Sequence, residues 1–211
     1  TIEPFSGKQE AGLVMVAIFS VGYRIQSLFQ RVTDVAGTIL YSHVVQQDEL
    51  ESARLTMLVT RNIMLMSLFF ALCTAVGGKP LIVVIASSRY ITAYVPILLM
   101  LPGIVAVNAG SIINNYYWGR TYPLKIIVAP YVASVLGAVM NYWFIPRYGI
   151  NGAALSFSIM SLAWLIYEAV CFSRDTALPI SMILVPRYSD VRILLKRLTG
   201  IMRNKLHTTR P

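Results

Sequence analysis

Residues 12–44 are apolar enough to cross a bilayer, yet polar residues recur along one side of the stretch. At about 100° per residue on a helix, Ser20, Tyr23, Arg24, Ser27, Gln30, Arg31, Asp34 and Thr38 share roughly one third of the circumference. Ile25, Leu28, Phe29, Val32, Val35, Ile39 and Leu40 occupy the rest. A charge facing lipid at mid-membrane costs at least about 2.5–3.5 kcal/mol, so Arg24 and Arg31 should face protein or water. The pattern predicts a polar, positively charged cavity inside a helix bundle.

Four further apolar segments follow, giving predicted spans at 12–44, 55–76, 91–115, 123–145 and 150–173. Residues 1–11 read as an extracytoplasmic loop, and 174–211 as a basic cytoplasmic tail. The first span is longer than a crossing needs, which predicts tilt or projection into the cytoplasm. Residues 46–54 read as a charged loop, with Arg61 and Asn62 opening the second span near one interface. Gly77-Gly78-Lys79-Pro80 predicts a helix break, and residues 81–87, too short to cross, an interfacial helix or re-entrant turn. Pro102-Gly103 and Pro130 mark kinks or flex points within spans. Pro146-Arg147-Tyr148-Gly149 reads as a tight turn, and Gly152 as a small surface for close helix approach. In the tail, residues 189–206 form an amphipathic pattern with basic flanks, as expected of a helix lying on the membrane surface.

Composition supports the same picture. The chain is 56% hydrophobic and 13% charged, against about 25% charged in soluble domains, with a mean hydropathy of +0.65. An all-α, polytopic transmembrane bundle of about five spanning helices is expected, because barrel strands would repeat about every 10 residues. The net charge of +9 lies in short loops and the tail rather than in a nucleic-acid motif, so no nucleic-acid partner is expected. Arg54, Arg61, Arg120, Lys125 and the tail from Arg174 outnumber Lys8, Lys79, Arg89 and Arg147 on the other side, which places the C-terminus in the cytoplasm. Cys73 and Cys171 read as buried free thiols. His43 and His207 stand apart from other ligand residues, and no Walker loop, nucleophile elbow or paired catalytic carboxylates occur. No catalytic residues, no metal and no cofactor are therefore expected, and the chain does not read as an enzyme.

The run Asn141-Tyr142-Trp143-Phe144-Ile145-Pro146-Arg147-Tyr148-Gly149-Ile150-Asn151-Gly152-Ala153-Ala154 resembles the hairpin between late helices of bacterial polysaccharide (O-antigen type) flippases. Gln9-Glu10-Ala11-Gly12-Leu13 looks like the start of a helix in that family, and Pro80-Leu81-Ile82 followed by residues 94–103 like its next bend and helix. The likeness covers about residues 8–172, less than half of a family member. It departs at Tyr41-Ser42-His43, where many relatives carry a proline. These flippases belong to the multidrug, oligosaccharidyl-lipid and polysaccharide export superfamily, whose two lobes enclose a cavity open to either side in turn. The resemblance implies the second lobe of such a transporter, a fragment lacking its N-terminal lobe, in the inner membrane of a bacterium. It implies translocation of undecaprenyl-pyrophosphate-linked oligosaccharide. The implied partners are that substrate, membrane lipids, the missing lobe, and a polysaccharide polymerase or other assembly proteins.

Guanidinium groups suit a pyrophosphate because they stay charged and offer forked donors. Arg24 and Arg31 would form a ladder for the anion, with Tyr23, Ser27 and Gln30 for sugar hydroxyls and Asp34 on the same wall. Simpler roles stand beside these. Arg31 could pair with Asp34 or reach to headgroups. Asn141 reads as an interhelical hydrogen bond more readily than a ligand contact, and Glu168 as a partner of Arg174 more readily than a coupling-proton carrier. A drug or metabolite exporter of the same superfamily is the first functional rival, but would favour an acidic cavity. A membrane-embedded glycan-assembly enzyme is the second, but would need a large extracytoplasmic loop.

Overall fold

The computed structural model describes residues 3–120 and 123–184. Five long helices run α1 (Glu3–Gln46), α2 (Glu49–Ala86), α3 (Tyr94–Trp118), α4 (Leu124–Tyr148) and α5 (Ile150–Thr176). A 3-10 segment, Ser88–Ala93, leads into α3, and the short α6 (Ile180–Leu184) closes the described chain. Four of these segments, Glu49–Val84, Tyr90–Trp118, Leu124–Tyr148 and Ile150–Thr176, are long and apolar enough to cross a membrane. The chain is an all-α polytopic membrane bundle.

Helix α3 is the centre. It is the most apolar of the long helices and packs most extensively against α5, then α2 and α1. Small residues set the spacing. Gly22 admits the Ile97 and Met100 side chains, and Gly37 admits Asn115, so α1 lies parallel to α3. The buried positions of α1, Val21, Ile25, Thr33, Leu40 and Val44, recur every four to eight residues along that seam. Helix α2 runs antiparallel to α3, tied by Asn108 Nδ2 donating to Ser67 Oγ at 3.1 Å. Helix α5 runs parallel to α3. Between them the Ser158 hydroxyl bridges two levels of α3, accepting from Gly103 N–H at 3.1 Å and donating to the Leu99 carbonyl at 2.5 Å.

At one end, Arg120 Nη2 donates to the Gln47 carbonyl at 2.7 Å and to Ser52 Oγ at 3.0 Å. There too, Lys125 and Tyr117 converge on Asp175, at 2.6 and 2.8 Å. These bonds collect the ends of all five long helices.

Several boundaries differ from expectation. Residues 3–11 belong to α1 rather than to a loop, and with no proline at Tyr41-Ser42-His43 the helix continues to Gln46. Only Gln47 and Asp48 separate α1 from α2. Arg61 therefore sits about three turns inside α2, 3% exposed, not at its mouth.

The Gly77-Gly78-Lys79-Pro80 break does not occur, and α2 passes through it, with residues 81–86 as its last turns. Pro80 leaves the Val76 carbonyl without its i+4 donor, and one residue earlier the Tyr94 hydroxyl donates to the Ala75 carbonyl at 2.6 Å. Gly78 lies so close to the Tyr94 ring that a Cβ would overlap it, and Lys79 Nζ stands 5.5 Å from the ring centroid. The helix ends instead at Ser87, whose φ is 101°.

Likewise α4 continues through Pro146 to Tyr148, and Gly149 alone makes the turn, at φ 56° and ψ −134°. Cys171 is buried, but Cys73 is exposed on α2. The expected surface helix at 189–206 lies outside the described residues.

Candidate functional site

The stripe on α1 forms as its spacing requires, but it lies on an outer face of these helices rather than inside them. The seam to α3 uses the opposite arc, leaving Tyr23, Arg24, Arg31, Asp34 and Thr38 exposed, Tyr23 at 61%. Between the stripe and the seam is a cavity of about 230 Å³. Tyr23, Ser27, Gln30, Arg31 and Asp34 line it, joined by Gln26, which the stripe pattern does not include. Arg24 stands on the other shoulder, beside exposed Leu28.

Gln30 organises the wall. Its Nε2 donates to Asp34 Oδ1 at 3.0 Å and to Ser111 Oγ on α3 at 3.3 Å. Asp34 is thus engaged by Gln30, and among the described residues neither Arg31 nor Arg24 has a hydrogen bond or ion pair. The expected Arg31–Asp34 pair does not form; the carboxylate is met instead by the Gln30 amide one turn back. The hydroxyls of Ser20, Ser27 and Thr38 donate to carbonyls of their own helix, which leaves their lone pairs facing outward.

Depth follows from the packing. Arg24 and Arg31 fall between the level where Gly22 meets α3 and the level where Gly37 meets it. Two guanidiniums therefore stand on the surface of a membrane bundle, about 10 Å apart along the axis, within the span of α3.

Behind this wall α3 presents Asn108, Ser111, Asn114 and Asn115. Asn114 Nδ2 donates to Glu168 Oε1 at 3.1 Å. Glu168 is fully buried, and its other oxygen, by Gly110, has no hydrogen-bond partner among the described residues. Arg174, its expected partner, is exposed. Counting from the Asn108–Ser67 bond along antiparallel helices, buried Arg61 falls level with Asn114. Gln26, Ser111, Asn114 and Glu168 were not singled out as one wall by their spacing, since they come from three helices.

The remaining predicted positions are dispersed. Pro102 is exposed on α3, while Gly103 is buried against Phe157 and Ser158. Pro130 is exposed on α4. At Gly152 a Cβ would overlap the Phe144 carbonyl group, so α4 and α5 touch backbone to backbone beside Gly149. Asn141 makes no interhelical hydrogen bond among the described residues, and its buried Oδ1 is unpartnered. The expected tie across α4 is absent because the side chain turns into a hollow rather than toward a donor. A cavity of about 410 Å³ between α4 and α5 is mostly apolar and separate from the stripe. Among the described residues no group of three or more His, Cys, Asp and Glu lies together.

Comparison with protein-family models, with curated proteins and with solved structures returned no match to this chain. The fold defines its class, a multi-pass α-helical membrane protein.

Proposed function

We propose that these helices form one lobe of an alternating-access flippase that moves an anionic, lipid-linked oligosaccharide across a bacterial cytoplasmic membrane. One observation carries the reading: Arg24 and Arg31 are exposed and unpaired among the described residues, on the outer face of α1 at membrane depth. Lipid is a costly neighbour for a guanidinium, so that face turns to a water-filled cavity shared with a second lobe. The cavity is cationic, which selects an anion, and the polar side chains between the two arginines suit sugar hydroxyls. A pyrophosphate-linked glycan carries both groups, and its lipid tail can stay in the bilayer beside the apolar arc of α1. The chain supplies one wall only. Rocking of two lobes about a mid-depth site would then expose the cavity to each side in turn. The basic end of the bundle faces the cytoplasm in this scheme.

The test is made in the full-length protein in cells. With Arg24→Ala, surface polysaccharide should be lost and lipid-linked repeat units should build up on the cytoplasmic leaflet, at unchanged membrane levels of the protein. Normal surface polysaccharide in Arg24→Ala and Arg31→Ala strains would overturn the reading.

A further inference from the structure

Beyond the cavity at Gln30, toward the end of the bundle where Gly149 turns, α1, α4 and α5 enclose a second pocket of about 220 Å³. Phe19, Gly137, Asn141, Ser156, Phe157 and Met160 line it. Phe19 lies one turn before Tyr23 and two turns before Gln26 on α1, so this pocket follows the polar cavity along the same helix.

Its chemistry is unlike that of a packing defect. The Asn141 amide makes no hydrogen bond among the described residues, and its buried Oδ1 faces no donor. A buried carbonyl oxygen without a donor, on a side chain that is otherwise half-buried, is costly and calls for a reason. Ser156, by contrast, is satisfied by donating to the Gly152 carbonyl at 2.9 Å. Two aromatic rings, Phe19 and Phe157, supply apolar walls, and Gly137 keeps the space open. A Cβ there would overlap the Met160 thioether and push it inward. The volume is roughly seven times the ~30 Å³ that a water molecule occupies in the liquid, room for one sugar ring. A concave site with apolar walls and a single oriented polar group is the usual form of a small-ligand pocket.

We propose that this pocket is a sugar subsite, receiving one pyranose ring of the lipid-linked glycan. The C–H faces of the ring lie against Phe19 and Phe157, and a ring hydroxyl donates to Asn141 Oδ1. The diphosphate lies further along α1, on the guanidiniums. This subsite rests on the flippase reading above, and Asn141 becomes the residue that distinguishes a glycosylated lipid from a bare one.

Binding of two probes to the purified full-length protein tests it: lipid-linked oligosaccharide extracted from the source bacterium, and bare undecaprenyl diphosphate. Wild type should prefer the glycosylated lipid by about tenfold, the worth of one good hydrogen bond with its packing. Asn141→Leu and Gly137→Leu should each bring that preference close to one while leaving affinity for the bare lipid unchanged. Asn141→Leu should also melt at or above the wild-type temperature, because it removes an unsatisfied amide. A preference that survives both substitutions in folded protein overturns the subsite. Arg24→Ala separates the two readings, since it should weaken both probes equally. If Arg24→Ala and Arg31→Ala weaken neither probe, the anionic-lipid reading fails, whatever Asn141 does.

Discussion

Replacing Gly152 with alanine should loosen the hairpin of α4 and α5. A Cβ at this position would overlap the carbonyl carbon and oxygen of Phe144 and stand 3.1 Å from the Ile145 nitrogen. All three are backbone atoms of a helix, so no rotamer change relieves the clash, and the helices must separate. Overpacking of this kind costs about 1–3 kcal/mol. Gly77, on α2, is the matched comparison, because a Cβ there meets nothing within 4 Å. Gly77→Ala should instead gain about 0.5–1 kcal/mol from the helix preference of alanine over glycine. The same chemical change thus has opposite signs at two helical glycines, with a gap of about 1.5–4 kcal/mol. Unfolding of the full-length protein in detergent, followed by circular dichroism or thermal melting, measures it. A Gly152→Ala protein melting at or above wild type, or a Gly77→Ala protein melting below Gly152→Ala, would refute the reasoning.

Other outcomes follow from the site and its supports. Arg24→Ala and Arg31→Ala should change stability by no more than about 0.5 kcal/mol, as for exposed unpaired groups. They should lower affinity for undecaprenyl diphosphate about 10- to 150-fold, for the loss of one charge-assisted bond of about 1.5–3 kcal/mol; calorimetry or lipid-binding titration reads both. Ser67→Ala strands the buried Asn108 amide and should cost about 0.6–1.7 kcal/mol, the range for interhelical bonds in membranes, seen as a lower melting temperature. Tyr94→Phe removes the hydroxyl that holds the Ala75 carbonyl, so amide exchange should accelerate across the last turns of α2 around Pro80 and little elsewhere. Lys125→Met should cost under about 1 kcal/mol, because the Lys125 side chain is 42% exposed and its pair with Asp175 is largely solvent-screened.

The stripe on α1 was legible because periodicity relates residues of one helix to each other over several turns. Its position on an outer face was not, since periodicity does not say which arc a neighbour will cover. That depended on Gly22 and Gly37 giving α3 its seat. Glu168 shows the same limit. Arg174 is the nearest cation in sequence, but the bond comes from Asn114 on another helix, and long-range partners leave no local mark. At Pro80 the local rule predicted a break, but α2 carries the proline inside a continuous helix, with Tyr94 packed against Gly78 and bonded to Ala75 beside it. Gln26 had a faint signal, a polar residue on the arc that otherwise packs. Asn141 was recognisable as a polar residue in a span, whereas the hollow it faces is built by three helices.

Ser158 has a consequence for how this bundle can deform. Its hydroxyl is inserted between Gly103 N–H and the Leu99 carbonyl, beside Pro102, which has no N–H to bond to the preceding turn. A bend at that point must break or carry along a bond to α5. The two central helices therefore share one joint, and α3 flexes there either with α5 or at the cost of a hydrogen bond. Since α1 and α2 pack on α3 and α4 packs on α5, a displacement of this pair would be felt by every other long helix of the bundle.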